Sequence, residues 1–380
     1  MRRRNSPGIL AIATFSLAAV GALAHLEARA QSPIVTMDVN DGKLADAVHR
    51  ALLAAASPDF GGAIVIEQGG KLILKAGYGY ANREKHIPFR ADTIAQIGSI
   101  SKSFTAAAIA DLEREGKLDP QSAVAKYLPE LKGKSAGAIT IQQLLTHTGG
   151  YPEYCGDDFD KSSSAKMLHD CLAPLDAKPG KHAYSNAGYS SLALIVERIS
   201  AMSLEAYLKE RITGPLGMRD TAYLFADATA KTHASGYLNG VNQGVISDRI
   251  AALHGDYWNL KGNGGIQASS NDMMAWGKAL FGADPALPVM ANKLSDRKTW
   301  ALADGANTYY SYGLFIVLRS DGSVQRFSHS GSDGVFFSLF RWYPDERIQI
   351  YFVGNSGEDD VRKALLAAIG AVKKEAPIRE

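Results

Sequence analysis

Three times in its 380 residues the chain places a lysine three positions after a serine: Ser99/Lys102, Ser163/Lys166 and Ser295/Lys298. On a helix such residues share a face. A serine becomes nucleophilic when a neighbouring base takes its proton, and lysine is such a base once desolvation or nearby positive charge lowers its pKa. Ser163 lies in a polar Lys-Ser-Ser-Ser run and Ser295 in Ser-Asp-Arg-Lys, solvated settings in which a lysine keeps its charge. Ser99 instead leads into Lys102-Ser103-Phe104-Thr105-Ala106-Ala107-Ala108-Ile109-Ala110. That run is apolar almost all round, as in a buried helix. It puts Lys102 where charge is costly, and Ser99 beside the positive end of a helix dipole.

Two later segments offer partners. In Tyr184-Ser185-Asn186, ahead of an apolar helical stretch from Gly188 to Ile199, a phenol could relay a proton if nearby cations lower its pKa. Asn186 could bond both a substrate amide and the lysine. The same Tyr-x-Asn spacing recurs at Tyr237/Asn239 and Tyr257/Asn259, so alone it reads as a loop tyrosine. His329-Ser330-Gly331 stands just ahead of an apolar strand, Val335 to Trp342, where a substrate could pair against a strand edge. His147-Thr148-Gly149 repeats that pattern at the end of a helix, where a structural histidine is expected.

The elements that must carry these residues can be outlined. Residues 41–56 have helical periodicity. Two strands meet at Gly69-Gly70, a hairpin signal. Helical stretches such as Leu204 to Ile212 alternate with polar loops up to about residue 260. Strand character returns at Tyr312 to Leu318 and Arg347 to Val353, and the chain closes on an amphipathic helix, Asp360 to Lys373. The expected fold is α/β (α+β): an antiparallel sheet built from both termini, flanked by helices, with a mostly helical inserted lobe. The expected lobes are 31–115 with 300–380 for the sheet, and 116–299 for the helices.

In order and content, Ser99-Ile100-Ser101-Lys102, Tyr184-Ser185-Asn186 and His329-Ser330-Gly331 resemble the three motifs of the penicillin-recognising serine hydrolases. That superfamily holds class C β-lactamases, D-alanyl-D-alanine carboxypeptidases and related esterases. Leu144 to Gly150, Gly214 to Thr221, and Gly264-Gly265-Ile266 with Asp272 resemble its connecting segments, so the likeness spans roughly residues 60–355. It implies a β-lactamase/transpeptidase-like fold and an acyl-enzyme on Ser99. Lys102 and Tyr184 would share the proton, and Asn186 would orient the substrate. His329, Ser330, Gly331 and Ser332 would line the substrate strand, with the N–H groups of Ser99 and Ser332 as oxyanion hole. No cofactor or metal is implied. The substrate would be an amide, ester or β-lactam, small molecule or peptide. Efficient β-lactamases of the group carry Lys where this chain has His329. A histidine, partly charged near neutral pH, favours a peptidase or esterase, and Asp333 beside the strand further disfavours anions. A non-catalytic penicillin-binding or scaffold protein of the same fold is the alternative.

Composition agrees. The chain holds 41 Lys+Arg and 39 Asp+Glu; the first thirty residues contain four of the arginines and one glutamate, so the remainder carries a net charge of −1, which argues against nucleic acid as partner. Arg2-Arg3-Arg4, the apolar run Ile9 to Ala24 and Ala28-Arg29-Ala30 read as a signal peptide over 1–30, with an uncleaved anchor as alternative. No later stretch reads as a membrane span, so a periplasmic or secreted location is expected. Cys155 and Cys171 would pair in such a compartment rather than remain two buried thiols. Gly262-Asn263-Gly264-Gly265 reads as a turn, and Asp157-Asp158-Phe159-Asp160 as a solvated loop rather than a cation site.

Overall fold

The structure, a computed structural model, describes residues 34–172, 174–225, 232–376 and 378–379; the expected signal peptide lies outside them. The N-terminal elements are β1 (Val35–Asn40), α1 (Gly42–Ala55), β2 (Gly62–Gln68) and β3 (Lys71–Tyr78). The middle of the chain carries α2 (Ser101–Arg114), α3 (Asn186–Ser200) and α4 (Ser270–Phe281). The C-terminal part supplies β4 (Ala301–Asp304), β5 (Thr308–Ser311), β6 (Leu314–Leu318), β7 (Val324–Ser332), β8 (Phe337–Tyr343), β9 (Ile348–Gly354) and α5 (Glu358–Glu375). The nine strands form one antiparallel sheet in the order β1-β3-β2-β9-β8-β7-β6-β5-β4.

Successive strand residues point to opposite faces, and β2 and β9, at the N- to C-terminal junction, are buried on both. Ile64 and Ile66 lie opposite Phe352 and Ile350 and join Val48 and Leu52 of α1 with Val361 and Val372 of α5 in one core. Val65, opposite Tyr351, faces a second core built with α2, α3 and α4. Their unbroken apolar runs follow from this two-sided cover. The β2–β3 hairpin turns at Gly69 and Gly70, with φ of 61° and 87°. Two positive φ values are what a two-residue turn matching strand twist requires.

The second core holds the α2 helix almost completely buried. Its small alanines allow close approach, and Phe104 stacks on Trp276 of α4 at 3.9 Å between ring centroids. The Trp276 indole donates to Ser103 Oγ at 3.1 Å, so its one polar atom is satisfied inside the core.

The main departure from the sequence reading is β7. His329-Ser330-Gly331 does not precede a strand; it lies within one, paired to Phe340, Leu339 and Ser338 of β8. The polar run Val324–Ser332 shows no apolar alternation because backbone pairing on both edges holds it, while part of one face is given to polar contacts. The segment 204–212 is α-helical only over Leu204–Tyr207 and continues as a wider turn, Leu208–Thr213. Cys155 and Cys171 are joined in a disulfide, Cα–Cα 5.4 Å.

Candidate active site

Ser99 sits in a single tight turn, Gly98–Ile100, that feeds directly into α2. This turn lies against β7, and the contact is made by two glycines. A Cβ on Gly331 would stand 2.0 Å from Ile97 O and 2.8 Å from Ser99 N; one on Gly98 would stand 2.6 Å from Ser332 N. Only glycine at both places lets the backbones meet, and Gly98 also has φ of 52°. The backbone nitrogens of Ser99 and Ser332 therefore flank the same glycine–glycine contact.

Lys102, fully buried, is the centre of the site. Its Nζ is 3.0 Å from Ser99 Oγ, and donates to Asn186 Oδ1 at 2.6 Å and to the carbonyl of Asn263 at 2.8 Å. No carboxylate is among these partners. Burial drives its pKa well below the ordinary lysine value, against a weaker upward pull from Asp158 and Glu153. Asn186, first residue of α3, is held by its own N–H to Glu153 O, and its side chain also bonds the exposed Tyr154 hydroxyl.

Tyr184 is hydrogen-bonded to Ser99 and its ring lies 4.8 Å from Lys102 Nζ. The condition of a pKa lowered by nearby cations is not met: burial raises it, more than the bond to Ser99 lowers it. The physical reason is that burial strips water from the Tyr184 hydroxyl, which penalises the phenolate.

His329 is likewise corrected. It is buried, its Nδ1 lies 2.5 Å from Ser330 O, and its Nε2 lies 3.3 Å from the Tyr310 hydroxyl. Burial first, and Lys102 second, push its pKa down to about 3. It is a neutral imidazole with both nitrogens engaged, not a partly charged group able to hold a carboxylate. Ser330 is half-buried and pairs with Leu339. The Ser332 hydroxyl donates to Glu358 at the start of α5, which leaves its backbone for the site.

Other residues emerge only in three dimensions. His147, expected to be merely structural, accepts the Ser185 N–H at Nδ1 (3.1 Å) and packs on the Tyr184 ring at 4.2 Å. Its one sequence signal was its place in Leu144 to Gly150. The turn Gly262–Gly265 supplies the Asn263 carbonyl, fixed by Asn263 Nδ2 donating to Ser190 Oγ and Asn259 O. In the loop of residues 157–160, Asp157 and Asp160 are exposed, while Asp158 is half-buried and its pKa is raised to about 6 by desolvation and by Asp333. Among the described residues no group of three or more His, Cys, Asp or Glu is placed to hold a metal, and no helix is long and apolar enough to cross a membrane.

The Beta-lactamase family profile matches residues 52–372. The chain belongs to this family. It is 27% identical over 327 residues to Penicillin-binding protein 4* of Bacillus subtilis (strain 168), covering 81% of this chain and 71% of that one. It is also 27% identical over 312 residues to Protein flp of Staphylococcus aureus (strain COL), covering 80% of this chain but only 61% of that protein. Among solved structures, a Beta-Lactamase/D-Alanine Carboxypeptidase from Pseudomonas syringae superposes with a TM-score of 0.73 at 19% identity, over 88% of this chain and 98% of that one. An octameric penicillin-binding protein homologue from Pyrococcus abyssi gives 0.70 at 26% identity, over 87% and 78%. The fold is thus that of the β-lactamase/transpeptidase proteins, and a hydrolase of the serine type is the coarse function these relations carry.

Proposed function

We propose that this β-lactamase-family protein is an exported serine hydrolase that cleaves an amide or ester through an acyl-enzyme on Ser99, working as a peptidase or esterase. The single observation that carries this is the hydrogen-bond count at Lys102. A neutral amine has two N–H donors and one lone pair; Asn186 Oδ1 and Asn263 O take the donors. The lone pair is left for the Ser99 hydroxyl, 3.0 Å away.

The steps follow. Ser99 Oγ bonds to the substrate carbonyl carbon as its proton passes to Lys102 Nζ. The oxyanion faces the N–H groups of Ser99 and Ser332. The bond from carbon to nitrogen or oxygen then breaks, and the leaving group takes the proton, passed on by the Tyr184 hydroxyl. A neutral phenol accepts one proton only as it gives one, which is a relay rather than a base. Water attacks the ester by the same path in reverse, and the Ser99 Oγ–carbon bond breaks. A fluorophosphonate or fluorescent penicillin should label the protein and fail to label Ser99→Ala; equal labelling of both overturns the assignment.

A further inference from the structure

A groove of about 680 Å³ opens beside the site, and none of the steps above uses it. One wall is β4, the outermost strand of the sheet, with Lys298 leading into it; the other is formed by Gln142, Thr148 and Gly180–His182. Direct bonds fix both walls. Gln142 Nε2 donates across to Thr299 O at 2.8 Å, and the Gly180 N–H donates to Thr148 O at 2.8 Å.

β4 pairs with β5 on one side only. Its outer edge keeps a row of backbone N–H and C=O groups, which an added extended chain would pair. Two lysines stand on the groove, Lys181 and Lys298, both exposed and neither in an ion pair among the described residues. Asp304 is the one carboxylate that lines it, so positive charge is in surplus. Lys298 belongs to the third Ser-x-x-Lys spacing of the chain, and the chemistry at Ser99 gives it no role.

The groove reaches the reacting groups through a layer of rings. His182 lies 5.7 Å from His147, which packs 4.2 Å from Tyr184. Half-buried Phe315 lies 6.5 Å from His182 and 5.3 Å from His329. An extended chain advances about 3.3 Å per residue, so about three residues lead from Tyr184 to the groove. Tyr184 passes its proton to the leaving group, so the leaving arm enters on this side. Asp333, the acid expected to repel anions, stands roughly 13 Å beyond His329 along the strand and is remote from the groove.

We propose that this groove binds the leaving-group arm of the substrate as an extended peptide added to the edge of β4, with a carboxylate of that peptide held by Lys181 and Lys298. This rests on the acyl-enzyme reading above and names its substrate class: acidic peptides that continue at least about three residues past the scissile bond. The test is kcat/KM for phenylacetyl esters of 4-hydroxybenzoyl peptides, whose leaving phenol carries no residue, three or six, beside fluorophosphonate labelling of Ser99. The six-residue arm should exceed the bare phenol by about tenfold, the gain from one or two net backbone hydrogen bonds. N-methylation of the arm's amides removes its donors and should abolish that gain. A glutamate in the far half of the arm should exceed glutamine by about threefold at low salt and lose its lead at high salt. Lys181→Gln combined with Lys298→Gln should remove the difference between the two arms. Normal labelling with equal rates for the bare and six-residue esters, a gain that survives N-methylation, or a glutamate preference that survives loss of both lysines overturns the groove assignment alone. Absence of Ser99 labelling overturns the acyl-enzyme and the groove assignment with it.

Discussion

Ser99/Lys102 and Ser163/Lys166 have the same spacing and opposite fates. Ser163 caps a short helix, its Oγ accepting the Lys166 N–H, while exposed Lys166 pairs with Asp170 at 3.2 Å. Lys102 is sealed in a core and meets only carbonyl oxygens and a hydroxyl. A carboxylate partner in water stabilises the ammonium; neutral acceptors in a dry site leave the amine uncharged. What distinguishes a base from a surface cation is therefore the partner's charge and the burial, and the spacing contributes only proximity.

The sharpest way to break that comparison is to truncate both lysines. Lys102→Ala should slow labelling of Ser99 by about 100- to 10,000-fold, the range for loss of a positioned base. Lys166→Ala should leave the labelling rate unchanged. Comparable losses in the two variants would mean that the buried lysine is not the proton acceptor.

A second contrast is between glycines. Gly331 has the Ile97 carbonyl within 2.0 Å of where a Cβ would stand, whereas Gly370, inside α5, has nothing within 4 Å. Gly331→Ala should push β7 away from the Ser99 turn and withdraw one oxyanion donor, costing about 100- to 1,000-fold in kcat. Gly370→Ala should leave kcat unchanged and stabilise the fold by about 0.5–1 kcal/mol, since alanine suits a helix interior better. Chemical denaturation and steady-state rates on the same ester separate the two effects.

The parts of this site that can be read in sequence are those set by local spacing. Ser99 and Lys102 lie one turn apart, Tyr184 and Asn186 flank a helix start, and the apolar run after Lys102 announces its burial. The Asn263 carbonyl and the Tyr310 hydroxyl have no such signal, because a loop 161 residues away and a strand 19 residues away bring them in. That both ends of the chain feed one sheet was legible from segments such as β2 and β9, whose apolar runs demand cover on both faces. β7 was not, because its sequence serves the site and its backbone pairing serves the sheet. Charge states were the least legible. The ionisation of Tyr184, His329 and Asp158 depends on desolvation by residues distant in the chain, and for His329 the partial charge expected from residue type is absent.

The smallest effect concerns His329, and it tests that last point. Its folded pKa of about 3 lies below the ordinary histidine value, and His147 and His182 are also lowered by burial. Below about pH 6.5 the unfolded chain therefore binds protons that the folded chain refuses. Stability contributed by neutral His329 is fully present above the ordinary value and declines as pH falls toward 3. Melting temperature should thus drop on acidification, and His329→Gln should flatten the slope between about pH 6 and 4 without removing it, because His147 and His182 retain their share. The kcat/KM profile should show no step from His329 near pH 6.5, and nitrogen chemical shifts of its ring should report the Nδ1–H neutral tautomer, with Nε2 accepting from Tyr310, through that range. An imidazolium signal for His329 at neutral pH would restore it as a carboxylate-binding cation.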